Sequence, residues 1–93
     1  MKASELDQLR DAIDTVDREL LKLLEQRLGL VLRVGELKQE HGVKVYDAER
    51  ERAVLDRLAS LAAPPMSNEV ARRIFERIID ECRSQEKHHI DEV

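Results

Sequence analysis

The sequence predicts an all-α fold with three helices per chain, a long first helix and assembly as an intertwined homodimer. Three observations carry that prediction. Ten positions spaced alternately three and four apart draw one helical seam: Leu6, Leu9, Ile13, Val16, Leu20, Leu23, Arg27, Leu30, Val34 and Leu37. Two shorter apolar-periodic runs follow, each behind a capping residue and set apart by Pro64 and Pro65. Finally, 39% of the residues are charged and 2% aromatic, the composition of a surface-rich helical protein.

The first helix is expected to begin at Ser4, where Ser4 and Asp7 form an S-x-x-D capping pattern and acids crowd the first turns. Its period runs to Leu37, and Gly42 supplies a residue that tolerates the left-handed conformation past a helix end. About 37 residues of helix would span about 55 Å at 1.5 Å per residue, whereas a compact chain of this size has a radius of gyration of only ~12 Å. Such a helix would protrude with a bare apolar face, and a second copy of the chain is the simplest cover. From Leu20 onward the apolar face widens through Leu21, Leu24, Leu28, Val31 and Leu32, so several neighbours are expected there. Gly29 and Gly35 each weaken a helix by about 1 kcal/mol relative to alanine, a cost that close approach of another backbone would offset.

Val43 to Tyr46 reads as a short extended connector. Asp47 then caps a second helix ending near Ala62, with Val54, Leu55, Leu58 and Leu61 on its inner face. The two prolines stop it. Ser67 caps a third helix, with Val70, Ala71, Ile74, Phe75, Ile78 and Cys82 inward and fraying expected after Glu86.

The 93 residues form a single domain, 1–93, that buries limited surface and gains from oligomerising. A net charge of −4 with interleaved signs argues against nucleic acid as a partner. No stretch reaches the ~20 apolar residues of a membrane span, and the N-terminus lacks a signal-peptide core. Cys82 is the only cysteine, so no intrachain disulfide forms and a reducing, cytoplasmic setting is expected. There is no phosphate loop, zinc pattern or dinucleotide fingerprint, and no serine or cysteine with an evident partner base. His88 and His89 lie in a polar tail without a third ligand, so neither a metal nor another cofactor is expected.

Polar residues interrupt the apolar faces. Arg27 sits on the seam itself, where a guanidinium is costly unless it meets an anion, either a structural carboxylate or a ligand. Lys38 continues the line of Arg27, Val31 and Val34; Arg50 and Glu51 precede Val54 and Leu55 by one turn; Glu86 follows Cys82 by one turn. Each has an ordinary reading. Arg50 and Glu51 can be a solvated helix start, Lys38 a complement to the helix dipole, Glu86 a frayed surface residue, Cys82 a small buried hydrophobe, and Tyr46 and Phe75 packing residues. Together they place three cations and two acids where they can converge on one anionic ligand.

Four segments turn that set into a resemblance: Leu9 to Asp17 (L-R-x-x-I-D-x-x-D), Leu23 to Arg27 (L-L-x-x-R), Val34 to Lys38 (V-G-x-x-K) and Asp47 to Leu55 (D-x-x-R-E-x-x-x-L). The chain resembles the all-α class of chorismate mutases, weakly continued through the third helix. The resemblance implies an intertwined dimer and the rearrangement of chorismate to prephenate, a step toward phenylalanine and tyrosine that uses no nucleophile, metal or redox cofactor. It implies that Arg10 from the other chain and Arg27 grip the substrate's carboxylates. Arg10 and Arg27 lie roughly 100° apart around the helix, so they can serve different sites. The resemblance further implies that Lys38 touches a carboxylate and the ether oxygen, that Asp47 (through its backbone) and Glu51 hold the ring hydroxyl, that Arg50 lines the carboxylate end, and that Glu86 hydrogen-bonds the ether oxygen. Relatives include front domains of longer enzymes of aromatic amino-acid synthesis. No effector domain is recognisable, so regulation, if any, is expected from another enzyme of that pathway.

Two matches depart from the pattern. The position that Glu86 matches is glutamine in some relatives and glutamate in others; a carboxylate cannot donate a hydrogen bond, so Glu86 is expected to act only when protonated. Cys82 matches a serine in some relatives and is a weaker donor. The rival readings are an isochorismate–pyruvate lyase on the same fold and a non-catalytic helical dimerisation module.

Overall fold

The computed structural model describes residues 3–92. Three helices follow in order: α1 (Ala3–Glu40, 38 residues), α2 (Ala48–Leu61, 14 residues) and α3 (Asn68–Glu92, 25 residues). No strand occurs among the described residues.

Each helix end follows from its local chemistry. At the end of α1, Val43 N–H donates to Lys38 O (2.8 Å) and Gly42 N–H to Gln39 O (3.2 Å). This is the paired-bond Schellman stop, with Gly42 at φ +67° in the left-handed position that glycine occupies without strain. Asp47 caps α2: its Oδ1 accepts from Arg50 N–H at 3.0 Å. Ser67 Oγ accepts from Val70 N–H at 3.1 Å and opens α3.

The chain divides into two units, one ending at Leu30 and the other beginning at Val31. The first is the leading three-quarters of α1. Its seam residues, Leu6, Leu9, Ile13, Val16, Leu20, Leu23 and Leu30, stay between 38% and 68% exposed. The second holds the end of α1, the connector, α2 and α3. There α2 and α3 pack on each other around Val54, Ala59, Ala71, Ile79 and Cys82.

The structure adjusts the expected inner faces. Leu61 is 70% exposed and Ile74 46% exposed, while Ala59 and Ile79 are buried. On α3 the buried line runs Ala71, Ile79, Cys82 and Glu86, and at 100° per residue Ile74 falls about 100° from its centre. Leu61 is the last residue of α2, at the margin of its packed face. Helix α3 also continues past the expected fraying point to Glu92, because His89 and Ile90 dock against the end of α1.

Candidate active site

The second unit brings together a cation from α1, an acid from α2 and an acid from α3. Lys38, in the last turn of α1, donates from Nζ to Val45 O at 3.1 Å. The sharp turn at Gly42 folds the connector back over the lysine, and two of its three ammonium protons remain for other acceptors.

Glu86 is the only charged or polar residue buried among those described, at 7% exposure. Gly35 makes the room for it. A Cβ built on Gly35 would lie 2.8 Å from Glu86 Cγ and 2.9 Å from Ile90 Cδ1. The glycine therefore admits a side chain from α3, not the backbone expected from sequence; Gly29 has no such neighbour within 4 Å. Burial raises the Glu86 carboxyl above the ordinary glutamate value; Lys38 opposes that shift and the negative charge of Glu51 adds to it. Burial is the largest influence, so the Glu86 carboxyl keeps its proton to higher pH than an ordinary glutamate and, while protonated, can present an O–H donor.

Glu51, in the first turn of α2, is held from α3. Arg83 donates from Nε to Glu51 Oε2 and from Nη2 to Oε1, both at 3.0 Å. The guanidinium also reaches Asp80 Oδ1 at 2.7 Å and lies 5.0 Å from the centroid of the Tyr46 ring. Its pairing with Glu51 pushes the Arg83 pKa further up, so it stays charged under all working conditions. Sequence reading missed Arg83 and gave Tyr46 only a packing role. The available signal was position: Arg83 stands three residues before Glu86, on an adjoining line of the same helix face.

The remaining expected site residues fall into place unevenly. Cys82 is buried one turn before Glu86 with a free thiol. Asp47 has both oxygen-bearing groups engaged at the start of α2, the carboxylate by Arg50 N–H and the carbonyl by Glu51 N–H (3.1 Å), and neither bond uses its own N–H. Arg50 is exposed. In the first unit, Arg10 is exposed, whereas Arg27 Nη1 is buried and has no hydrogen-bond partner among the described residues. A buried guanidinium nitrogen left unpaired costs about 1–3 kcal/mol, which an incoming anion would recover. The expected polar tail is also corrected: His89 is half-buried and its Nε2 lies 3.1 Å from Glu36 Oε1. That contact, with Arg33, holds the Glu36 carboxyl below its usual range.

No group of three or more metal-ligating side chains occurs among the described residues, and no described helix is long and apolar enough to cross a membrane.

The family model for chorismate mutase type II matches residues 9–87. The chain belongs to the chorismate mutase type II family. It is 31% identical to the chorismate mutase of Methanocaldococcus jannaschii over 88 residues, covering 94% of this chain and 89% of that protein. It is 41% identical to the bifunctional chorismate mutase/prephenate dehydratase of Neisseria gonorrhoeae over 78 residues, 84% of this chain but 21% of the relative, so it spans about a fifth of that enzyme. The crystal structure of chorismate mutase from Helicobacter pylori in complex with prephenate superposes with a TM-score of 0.87 at 29% identity, covering 97% of this chain and 98% of that one. The all-α architecture expected of a chorismate mutase is thus the architecture observed.

Proposed function

We propose that this chain is a chorismate mutase that converts chorismate to prephenate, and that it works as a homodimer. The carrying observation is the buried carboxyl of Glu86, seated against Gly35 one turn of α1 before Lys38. The rearrangement breaks a carbon–oxygen bond while a carbon–carbon bond forms, and negative charge builds on the ether oxygen. Two preorganised donors at that oxygen, O–H from Glu86 and N–H from Lys38, stabilise the transition state more than the ground state.

The other roles follow the family resemblance. Arg27 and the Arg10 of a second copy supply guanidinium groups to the substrate's two carboxylates, which favour bidentate pairing; the unpaired Nη1 of Arg27 supports this. Glu51 accepts from the ring hydroxyl and Asp47 donates to it from its backbone N–H. Arg50 lines the carboxylate end. The buried Cys82 contributes packing and at most a weak donor. Holding the compact, reactive conformer supplies the rest of the acceleration. The exposed α1 seam supports the second copy, since isolated apolar residues are common on surfaces but a continuous row of seven is not.

The test is loss of chorismate absorbance with purified protein across pH 5 to 9, with prephenate verified by acid conversion to phenylpyruvate. Rapid turnover, strongest at the acid end, is expected. Absence of turnover by a folded dimer, or release of salicylate from isochorismate instead, overturns the proposal.

A further inference from the structure

The Arg83 network does more than hold two helices together. Exposed ion pairs contribute little, but this one is a two-point fork onto a largely buried carboxylate, with Glu51 at 23% side-chain exposure. Its guanidinium is fixed from two further sides, by Asp80 at 2.7 Å and by the Tyr46 ring at 5.0 Å. A carboxylate gripped at both oxygens has one orientation and keeps its outer lone pairs for another donor. Glu51 is also the one acid acting on Glu86 from α2.

We infer that Arg83 is a positioning residue for the ligand site: it fixes the Glu51 carboxylate in one orientation and partly offsets the field that Glu51 exerts on Glu86. The inference rests on the proposed function for what the ligand is, but not for the Arg83–Glu51–Glu86 linkage itself. The charged groups acting on Glu86 are Lys38 from α1 and Glu51 from α2, with Arg83 one turn earlier on α3; Tyr46 in the connector stacks on Arg83. Without Arg83, Glu51 keeps its full negative charge and its rotamer freedom. Glu86 then holds its proton to higher pH, and the ring hydroxyl loses a fixed acceptor.

Two variants separate charge from geometry. Arg83→Lys keeps the charge and loses the fork; KM for chorismate is expected to rise about three- to tenfold with kcat within about twofold, and the alkaline limb of activity to stay in place. Arg83→Gln removes the charge; the same rise in KM is expected, with the limb displaced upward by about half a pH unit or more. A second readout needs no turnover: the Glu86 carboxyl, followed by ¹³C NMR and identified by its absence in Glu86→Gln, should titrate higher in Arg83→Gln and unchanged in Arg83→Lys. If wild type does not act on chorismate, the functional proposal fails while this titration still decides the linkage. A Glu86 titration unmoved in both variants, or unchanged KM in both, overturns the inference; so does an equal shift of the titration in both.

Discussion

Residues up to Leu30 and residues from Val31 onward handle burial in opposite ways. In the first region a row of large aliphatic side chains remains exposed and one arginine nitrogen is buried with no partner among the described residues. In the second, the small core is made by the region's own helices, and its polar groups are largely paired: Lys38 with Val45, Glu51 with Arg83, Glu36 with His89. The second region satisfies itself. The first leaves an apolar row exposed and one guanidinium nitrogen without a partner among the described residues.

The most severe way to break that contrast is to charge the seam. Ile13→Asp combined with Leu20→Asp should abolish dimerisation, activity and much of the helical signal, since each buried carboxylate would cost several kcal/mol; sedimentation and circular dichroism read the outcome. A fully active, unaltered variant would mean that the exposed row has no partner. Next, Arg27→Ala should lower kcat/KM by about 10²–10³-fold or more while the dimer persists. Activity within about threefold of wild type would show that the buried nitrogen answers to a structural carboxylate instead.

Much of the fold was legible because helix caps are local. Asp47, Ser67 and Gly42 act on backbone groups within a few residues, and all three do what their types predict. Burial of polar groups was legible where a polar residue interrupted an apolar line: Glu86 is buried and Lys38 partly so. Pairing was not legible where the partner is distant in sequence. Arg83 and Glu51 are 32 residues apart, and Glu36 and His89 are 53 apart; periodicity on one helix does not say which residue of another will meet it. The same limit explains Ile74 and Leu61. A periodic pattern gives a face to within a residue or two, and the packed neighbour selects its centre.

The second region invites finer tests. Glu86 has a raised pKa in the folded protein, so its favourable contribution to stability is present at low pH and is lost as pH rises through the folded value. Activity should decline over that same rise, because the ionised carboxyl cannot donate. Glu86→Gln, a donor at every pH, should flatten the alkaline limb and raise the melting temperature relative to wild type at high pH. A limb that survives the substitution belongs to another group. Gly35→Ala should change activity by about tenfold, because the added methyl displaces Glu86, while the helix itself gains intrinsic stability of up to about 1 kcal/mol; a steady-state assay beside a denaturation curve separates the two. The smallest effect belongs to the Arg72–Asp56 pair, at 2.8 Å but solvent-exposed: Arg72→Ala should alter unfolding free energy by less than about 1 kcal/mol.

Gly35 has a consequence for how this sequence can change over time. Its missing side chain and the long side chain at position 86 occupy the same space, separated by 51 positions along the chain. A single substitution at either position is judged against the other's present state. A methyl at position 35 becomes acceptable only after position 86 shortens or turns away, and a shorter residue at 86 leaves a void that favours filling position 35. The two positions therefore do not vary independently: a side chain at 35 and a long side chain at 86 compete for one volume, so a change at either alters what the other tolerates.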